Sequence, residues 1–235
     1  MKDKIVVTGS DGRFAKILKI KNKKLNLIFA NKKRLNILNL NSIIRFIKLN
    51  KPKIILHCAG LSRPMDIHEK DIKKSIDLNI IGTANITKVC EMFNLKLIYF
   101  STGYVYSGNR SNFKETDPVK PFNNYGLSKM GGECAVQMYS NSLILRLIMT
   151  EKPFAYNKAY SNLKSNYIFH EEVVKMLPKL INKKGIINVG GKAQSIFNFA
   201  RSHNPKVKKI FAKKNKNFPL NQTMSIAKLN KIINK

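Results

Sequence analysis

The stretch KIVVTGSDGRFAK, Lys4 to Lys16, decides the fold. KIVVTG is a short run of β-branched and apolar residues that ends in glycine, which predicts a buried strand. Gly9, Gly12 and Ala15 then follow at the spacing G-x-x-G-x-x-A. Gly9 permits a sharp turn out of the strand, Gly12 lets main chain approach a diphosphate, and Ala15 is small enough for a helix to pack on the sheet. A helix that opens here also turns its free amides toward anionic groups. At the end of a first strand and the start of a helix, this pattern predicts a dinucleotide cleft.

The same rhythm continues along the chain. LNLIFA (Leu25 to Ala30), KIILHCAG (Lys53 to Gly60), LKLIYFSTG (Leu95 to Gly103) and SLILRLIM (Ser142 to Met149) read as further strands. Helices are expected over Ser42 to Asn50, over Ile72 to Phe93 and from the Tyr125 segment onward. Such alternation predicts an α/β fold of the Rossmann type, a doubly wound parallel sheet with helices on both faces. Ligands on these sheets sit beyond the carboxyl ends of the strands. After Thr150 the rhythm loosens: Glu151 to Asn166 reads as loop, Phe169 to Ile181 as helix, Gly185 to Gly191 as strand and Ile226 to Lys235 as a basic final helix. The expected organisation is a cofactor-binding domain over 1–150 and a small, reduced substrate lobe over 151–235 that partly returns to the sheet.

Composition narrows the classes. With 235 residues, 43% of them apolar, one domain with a real core is expected. Cys58, Cys90 and Cys134 are scattered and form neither a disulfide framework nor a metal spacing. MKDKIVVTGS runs from charged residues straight into a strand, so no signal peptide is expected. The apolar run at Ser142 to Met149 is far shorter than the ~20 residues of a membrane span and contains Arg146. A cytoplasmic protein without a membrane partner is the expectation. The net charge of +31 is spread over the whole chain beside heavy use of Asn and Ile, residues that share A/T-rich codons with Lys. It reads as composition bias with a solvated basic surface that attracts anionic ligands, and a nucleic-acid partner is not expected.

Candidate chemistry sits in NNYGLSKMGGE, Asn123 to Glu133. Tyr125 and Lys129 are four residues apart, so on a helix they share one face. A free phenol has a pKa of about 10, and an ammonium one turn away favours its ionised form. Such a pair can exchange a proton with a substrate oxygen near neutral pH. Upstream, STGYVYSG (Ser101 to Gly108) ends a strand with the hydroxyls of Ser101 and Thr102, and Thr102 could hydrogen-bond a substrate carbonyl as charge develops on it. HCAG (His57 to Gly60) ends another strand in small residues that leave room for the adenine and ribose. His57 is a catalytic candidate, but a buried hydrogen-bond role suits a strand end better. Asn79 either binds main chain near the site or lies on a helix surface. After the second strand come Asn31, Lys32, Lys33 and Arg34 with no acid, which favours NADP(H), NAD(H) being the alternative.

These motifs resemble the extended short-chain dehydrogenase/reductase superfamily, and within it the dTDP-4-dehydrorhamnose reductase family, from Lys4 to about Ile232. That family carries S-T-D-Y-V-F-x-G, then an acidic-proline segment, then P-x-N-x-Y-G-x-[ST]-K-x-x-G-E; this chain reads STGYVYSG and ETDPVKPFNNYGLSKMGGE. ILR (Ile144 to Arg146), YIFHEEVV, GIINVGG and FPLNQTMSIAKL follow in the family's order. The resemblance implies Thr102, Tyr125 and Lys129 as catalytic residues, Tyr125 protonating the substrate's 4-oxygen and Lys129 also binding the nicotinamide ribose. It implies cofactor contacts from Gly9, Asp11, Gly12, Arg13, Phe14, Lys32, Lys33, Asn36, Cys58, Ala59, Gly60, Ser101, Tyr125 and Lys129, and substrate contacts from Ser62, Thr102, Gly103, Tyr104 and Asn123. The implied activity is NADPH-dependent reduction of a nucleotide-linked 4-keto-6-deoxy sugar in polysaccharide or glycoconjugate precursor synthesis. A 4-epimerase with bound NAD and a non-catalytic NADP-binding regulatory subunit are the alternatives. The chain departs from the family at Gly103, where an Asp is usual, at Asn36, and at Phe218 in place of an arginine. The stretch between Arg146 and Tyr167 is also short, which predicts a shallower substrate cleft or one completed by a homodimer or partner subunit.

Overall fold

In a computed structural model, which describes residues 3–213 and 220–234, apolar side chains alternate between the two faces of the central strands. Phe218 lies outside the described residues. The chain runs β1 (Lys4–Thr8), α1 (Arg13–Lys21), β2 (Asn26–Ala30), α2 (Leu40–Asn50), β3 (Ile54–His57), α3 (Ile67–Lys70) and α4 (Ile72–Ile76). A wide π turn (Asp77–Ile81) leads into α5 (Gly82–Met92), then β4 (Lys96–Thr102), α6 (Asn124–Gln137), β5 (Ser142–Leu147) and β6 (Met149–Thr150). The remainder comprises β7 (Lys158–Tyr160), β8 (Lys164–Ser165), β9 (Ile168–Phe169), α7 (His170–Leu180), β10 (Gly185–Val189), β11 (Gln194–Ser195), α8 (Ile196–Arg201), β12 (Lys208–Ile210) and α9 (Ala227–Ile233).

Six strands form one sheet in the order β10-β5-β4-β3-β1-β2, and every pairing is parallel. Ile5, Val7, Leu56, Ile98 and Leu145 face one layer, where they pack with Phe14 and Leu18 of α1 and Val173 and Leu177 of α7. Val6, Ile55, Leu97, Tyr99 and Ile144 face the other, against Ile43 and Phe46 of α2, Ile86 and Val89 of α5 and Val136 of α6. This period-two partition is what a sheet covered on both faces requires. The doubly wound fold is therefore as expected, and β10 does return to the main sheet.

Two expectations need correction. The helix predicted over Ile72 to Phe93 is interrupted by the π turn, which sinks Asn79 into the interior at 1% exposure. Glu151 to Asn166 is also not all loop, because β7 pairs with β12 and β8 with β11. These strands are two or three residues long and their partners are remote, so no local periodicity announces them. Phe154, Leu163, Phe169, Phe199 and Val207 give the region a small core of its own.

Glycine fixes two close approaches. Gly9 has a φ of +69°, and a Cβ there would lie 2.7 Å from the Ala59 Cα, so only glycine lets β1 turn this close to the end of β3. A Cβ on Gly132 would collide with the Tyr99 hydroxyl and come within 2.6 Å of the Asn79 carbonyl, so α6 is pressed onto both β4 and the π turn.

Polar interactions lock α6 in this position. The Arg146 guanidinium on β5 donates to Glu133 on α6, Nη2 to Oε2 at 2.8 Å and Nε to Oε1 at 3.1 Å, with both side chains almost fully buried. Arg146 Nη1 also donates to the Tyr106 hydroxyl at 2.8 Å, and that hydroxyl donates to Asn188 Oδ1 at 2.8 Å. Breaking one half of a buried pair leaves an uncompensated charge, which typically costs about 3–5 kcal/mol. Glu133→Ala is expected to lose stability on that scale in urea unfolding, whereas the double change Glu133→Leu with Arg146→Met should lose far less.

Candidate active site

The carboxyl ends of β1, β3, β4 and β5 open onto a continuous cleft. Gly9 follows β1 and leads to Gly12, the N-cap of α1. A cavity of about 670 Å³ is bounded here by Gly9, Asp11, Gly12, Arg13, Phe14, Cys58, Gly60 and Ser62, together with Arg63, Glu151, Tyr156 and His170. A smaller one, about 230 Å³, extends under the second-strand loop and is bounded by Gly9, Asp11, Gly12, Lys32, Asn36, Cys58, Ala59 and Gly60. Toward α6 a third cavity of about 200 Å³ is bounded by Arg13, Ser62, Ser101, Thr102, Tyr104 and Tyr125, with Arg63, Glu151, Tyr156 and Tyr167. A further cavity, about 560 Å³, lies on the outer side of Tyr104 and Tyr125 and includes Asn123.

The elements explain these placements. Asn123 is the N-cap of α6, its Oδ1 accepting from the Gly126 amide at 2.8 Å, and Tyr125 stands in the first turn. Glu69 reinforces that end by accepting from Asn124 Nδ2 at 2.5 Å. Asn79, delivered inward by the π turn, accepts from the Leu61 amide at 2.7 Å and donates to the Leu61 carbonyl at 2.9 Å and to Ser128 Oγ at 2.9 Å. It therefore ties the main chain of the loop after β3 to the Ser128 side chain of α6, and it is not a helix-surface residue. His57 is fully buried between Thr8 Oγ1 at 2.8 Å and Thr83 Oγ1 at 3.2 Å. Burial, reinforced by the charge of Lys129, lowers its pKa to about 3, so it is a neutral structural group.

Lys129 lies beneath the cleft at 5% exposure, its Nζ 4.2 Å from the centre of the Tyr99 ring and 3.9 Å from where a Cβ on Gly60 would stand. Burial lowers its pKa to about 7, opposed by Glu133 and Cys58. Burial raises the Tyr125 phenol above its ordinary value, while a hydrogen bond with Thr102 and the charges of Arg63 and Arg13 pull it back down. Lys129 stands one turn after Tyr125 on α6, as the spacing requires, with its Nζ against the Tyr99 ring.

Most predicted residues border these cavities, with three exceptions, of which the buried Lys129 is one. Lys33 is exposed and does not border these cavities, while Lys32 does. Gly103 is buried against Ile148 and Met224, and a Cβ there would lie 2.7 Å from Ile148 Cδ1, so it does not open onto the cleft. Sequence reasoning missed Arg63, Glu151, Tyr156, Tyr167 and His170. Glu151 and Tyr156 sit in the stretch read as loop, and no spacing rule links them to Arg63.

The cleft fits a dinucleotide. The α1 N-terminus follows a glycine whose added Cβ would crowd the Gly9 carbonyl at 3.1 Å, leaving bare main chain where phosphates bind. Ser101 Oγ and His170 Nδ1 are buried without a hydrogen-bond partner among the described residues, and both groups border the cavity beside Tyr125. Buried polar atoms of this kind are normally satisfied, which suits a polar ligand. Among the described residues no cluster of three His, Cys, Asp or Glu side chains is placed to hold a metal ion, and no described helix is long and apolar enough to cross a membrane.

A folded-state pKa of about 7 for Lys129 lies below the unfolded value, so above pH 7 the unfolded chain binds more protons. Stability of the ligand-free protein is expected to rise between pH 7 and 9, this one group contributing a slope approaching about 1.4 kcal/mol per pH unit. The difference between wild type and Lys129→Met in chemical denaturation across that range isolates the contribution.

Comparison with known proteins agrees with this geometry. The family model for the RmlD substrate binding domain matches residues 2–154. The methionine adenosyltransferase 2 subunit beta of Xenopus laevis is 35% identical over 114 residues, 48% of this chain and 34% of that protein. A dTDP-4-dehydrorhamnose reductase of Aggregatibacter actinomycetemcomitans is 28% identical over 153 residues, 63% of this chain and 51% of that protein. The matched stretch thus spans from about a third to about half the length of these relatives. The crystal structure of dTDP-4-dehydrorhamnose reductase from Bacillus anthracis in complex with NADP superposes with a TM-score of 0.85 at 23% identity, covering 98% of this chain and 92% of that one, which establishes the shared fold. With its glycine cleft, its Tyr125 helix and this match over most of its length, the chain belongs to the RmlD substrate binding domain family.

Proposed function

We propose that the protein is an NADPH-dependent reductase of a nucleotide-linked 4-keto-6-deoxy sugar. The observation that carries this reading is the meeting of Thr102, Tyr125 and Ser101 on one cavity that continues into the glycine-lined cleft. The named reductase relative and the fold shared with a reductase–NADP complex support it. A nicotinamide cofactor would supply the hydride that the substrate carbonyl carbon takes up. Gly9, Gly12 and the α1 N-terminus would hold its diphosphate, and Lys32 borders the cavity that would take its adenosine end. Thr102 and Tyr125 orient the substrate carbonyl through their hydroxyls, and Tyr125 gives its proton to the substrate oxygen. Lys129, buried beside Gly60, would donate to the nicotinamide ribose. Tyr104, Tyr156 and Tyr167 wall the cavity and limit water around the reacting oxygen.

A second reading has its own observation. The methionine adenosyltransferase 2 subunit beta of Xenopus laevis, Danio rerio and Rattus norvegicus is 33–36% identical to this chain over 98–114 residues. That favours a nucleotide-binding regulatory subunit that has no turnover. NADPH oxidation with a panel of nucleotide 4-keto sugars, measured alone and with co-encoded proteins, separates the two. Oxidation with any of them supports the reductase, and clear NADPH binding without oxidation supports the regulatory subunit.

Two outcomes follow from the reductase reading. NADPH is expected to bind more tightly than NADH, because a charge-assisted hydrogen bond from Lys32 to the 2′-phosphate contributes roughly 1.5–3 kcal/mol; calorimetric titration of both cofactors measures the difference. Tyr125→Phe keeps the ring and removes the proton donor, so kcat is expected to fall by about 10²–10⁴-fold while NADPH affinity is retained.

A further inference from the structure

Glu151 holds two arginines that come from distant parts of the chain. Arg13, the first residue of α1, donates from Nη1 to Glu151 Oε1 at 2.6 Å. Arg63, in the loop after β3, donates from Nη1 to Glu151 Oε2 at 3.2 Å. Thr150 Oγ1 donates to the same Oε2 at 3.2 Å. The side chains of Arg13, Arg63 and Glu151 remain 44%, 28% and 25% exposed. Ion pairs that water reaches contribute little net stability, so this bridge can exchange its anion. The Glu133–Arg146 pair, at 1% and 3% exposure, is of the opposite kind, because opening it would strand a buried charge.

The bridge stands where two cavities meet. Arg13, Arg63, Glu151, Tyr156 and His170 border both the glycine-lined cavity and the cavity of Thr102 and Tyr125. The smaller cavity under the second-strand loop is bounded by other residues. A dinucleotide with its adenosine at Lys32 and its nicotinamide beside Tyr125 must therefore carry its diphosphate across this junction. Other anion-seeking groups gather at the same place. The nine-residue helix α1 begins at Arg13, and its first amides have no partner within the helix. The imidazole of His170, at 4% exposure, has its Nδ1 buried without a hydrogen-bond partner among the described residues. The Arg63 guanidinium is steadied over the Tyr156 ring, 5.6 Å from its centre. One carboxylate shared by two guanidinium groups leaves an excess of positive charge. A diphosphate brings more charge, and its oxygens suit the planar fork of a guanidinium.

We propose that Arg13 and Arg63 form a diphosphate subsite at this junction, that Glu151 occupies it as an internal anion before a ligand binds, and that a nicotinamide dinucleotide binds by taking the carboxylate's place. The inference rests on the reading of the cleft as a dinucleotide site and deepens it with a competitor that the chain itself carries. Glu151 thereby lowers cofactor affinity and speeds release, because it returns to the arginines as the diphosphate leaves.

The test compares two ligands by equilibrium titration of the full chain: NADPH, and 2′-AMP, which has the adenosine and 2′-phosphate but no diphosphate. Glu151→Gln keeps the shape and removes the charge, so it is expected to bind NADPH roughly 3- to 30-fold more tightly, the range that two exposed ion pairs supply. Affinity for 2′-AMP should stay unchanged, and its binding also reports that each variant is folded. The gain in NADPH affinity should vanish when Arg13→Met and Arg63→Met are combined with Glu151→Gln, because a competitor has no effect on a subsite that has been removed. Equal gains for NADPH and 2′-AMP would show only a changed field in the cleft and would overturn the proposal. Unchanged or weaker NADPH binding by Glu151→Gln overturns it too, as does a gain that survives the loss of both arginines. If neither the wild type nor Glu151→Gln binds NADPH or NADH, the dinucleotide reading itself fails, so the two failures are distinguishable.

Discussion

The site depends on the contact between α6 and the sheet. Tyr125 and Lys129 lie on that helix two turns and one turn before Glu133, and the Glu133–Arg146 pair fixes its depth and rotation against β5. Two desolvated charges are a poor source of net stability, since their attraction does little more than offset the loss of hydration. Their use here is geometric. An apolar contact tolerates sliding, whereas a two-bond carboxylate–guanidinium contact holds only one register. Tyr106 and Asn188 extend the same network to the loop after β4 and to β10, so the strand ends that border the cleft are fixed with it.

The π turn does the same for the opposite wall. An ordinary helical turn would leave Asn79 on the surface, but the wider turn brings it inside and lets one amide bind both main-chain groups of Leu61. Loop residues Ser62 and Arg63 then follow a fixed anchor. The glycines of α6 make room for this arrangement, since any side chain at Gly132 would push the π turn away. Helix, π turn and loop therefore form one rigid unit around the cleft, and a perturbation at Gly132 would reach Arg63 through Asn79.

The fold was legible because its signals are local. Strand β1 and its glycine turn, the near-continuous apolar runs of β3 to β5 and the Asn-capped helix at Tyr125 are all written in contiguous residues. Thr102, Tyr125 and the glycine cleft were legible for the same reason. What escaped was long-range. Glu151 is an isolated acid in a stretch without periodicity, and its partners are 138 and 88 residues away. Asn79 could be placed near the site but not on one side of its helix, because the π turn shifts the helical phase. Lys129 was singled out by its spacing from Tyr125, yet its depth of burial is something no spacing reveals.

The charge balance gives these few acids their weight. Against 44 basic residues the chain has 13 acids, so most cations have no carboxylate available and remain solvated. Some of the acids are placed at or beneath the cleft. Glu133 neutralises a guanidinium that could not otherwise be buried, Glu69 satisfies the start of the Tyr125 helix, and Glu151 joins two arginines that would repel. A strongly basic surface draws anionic ligands toward every face, and such a field by itself does not select a site. Selection comes from shape, from free amides at the α1 N-terminus and from fixed charges. Of these, the fixed charges at Glu151 join three separate parts of the chain, Arg13 at the start of α1, Arg63 after β3 and Glu151 after β6, so they tie together segments that no local contact would bring to one cleft.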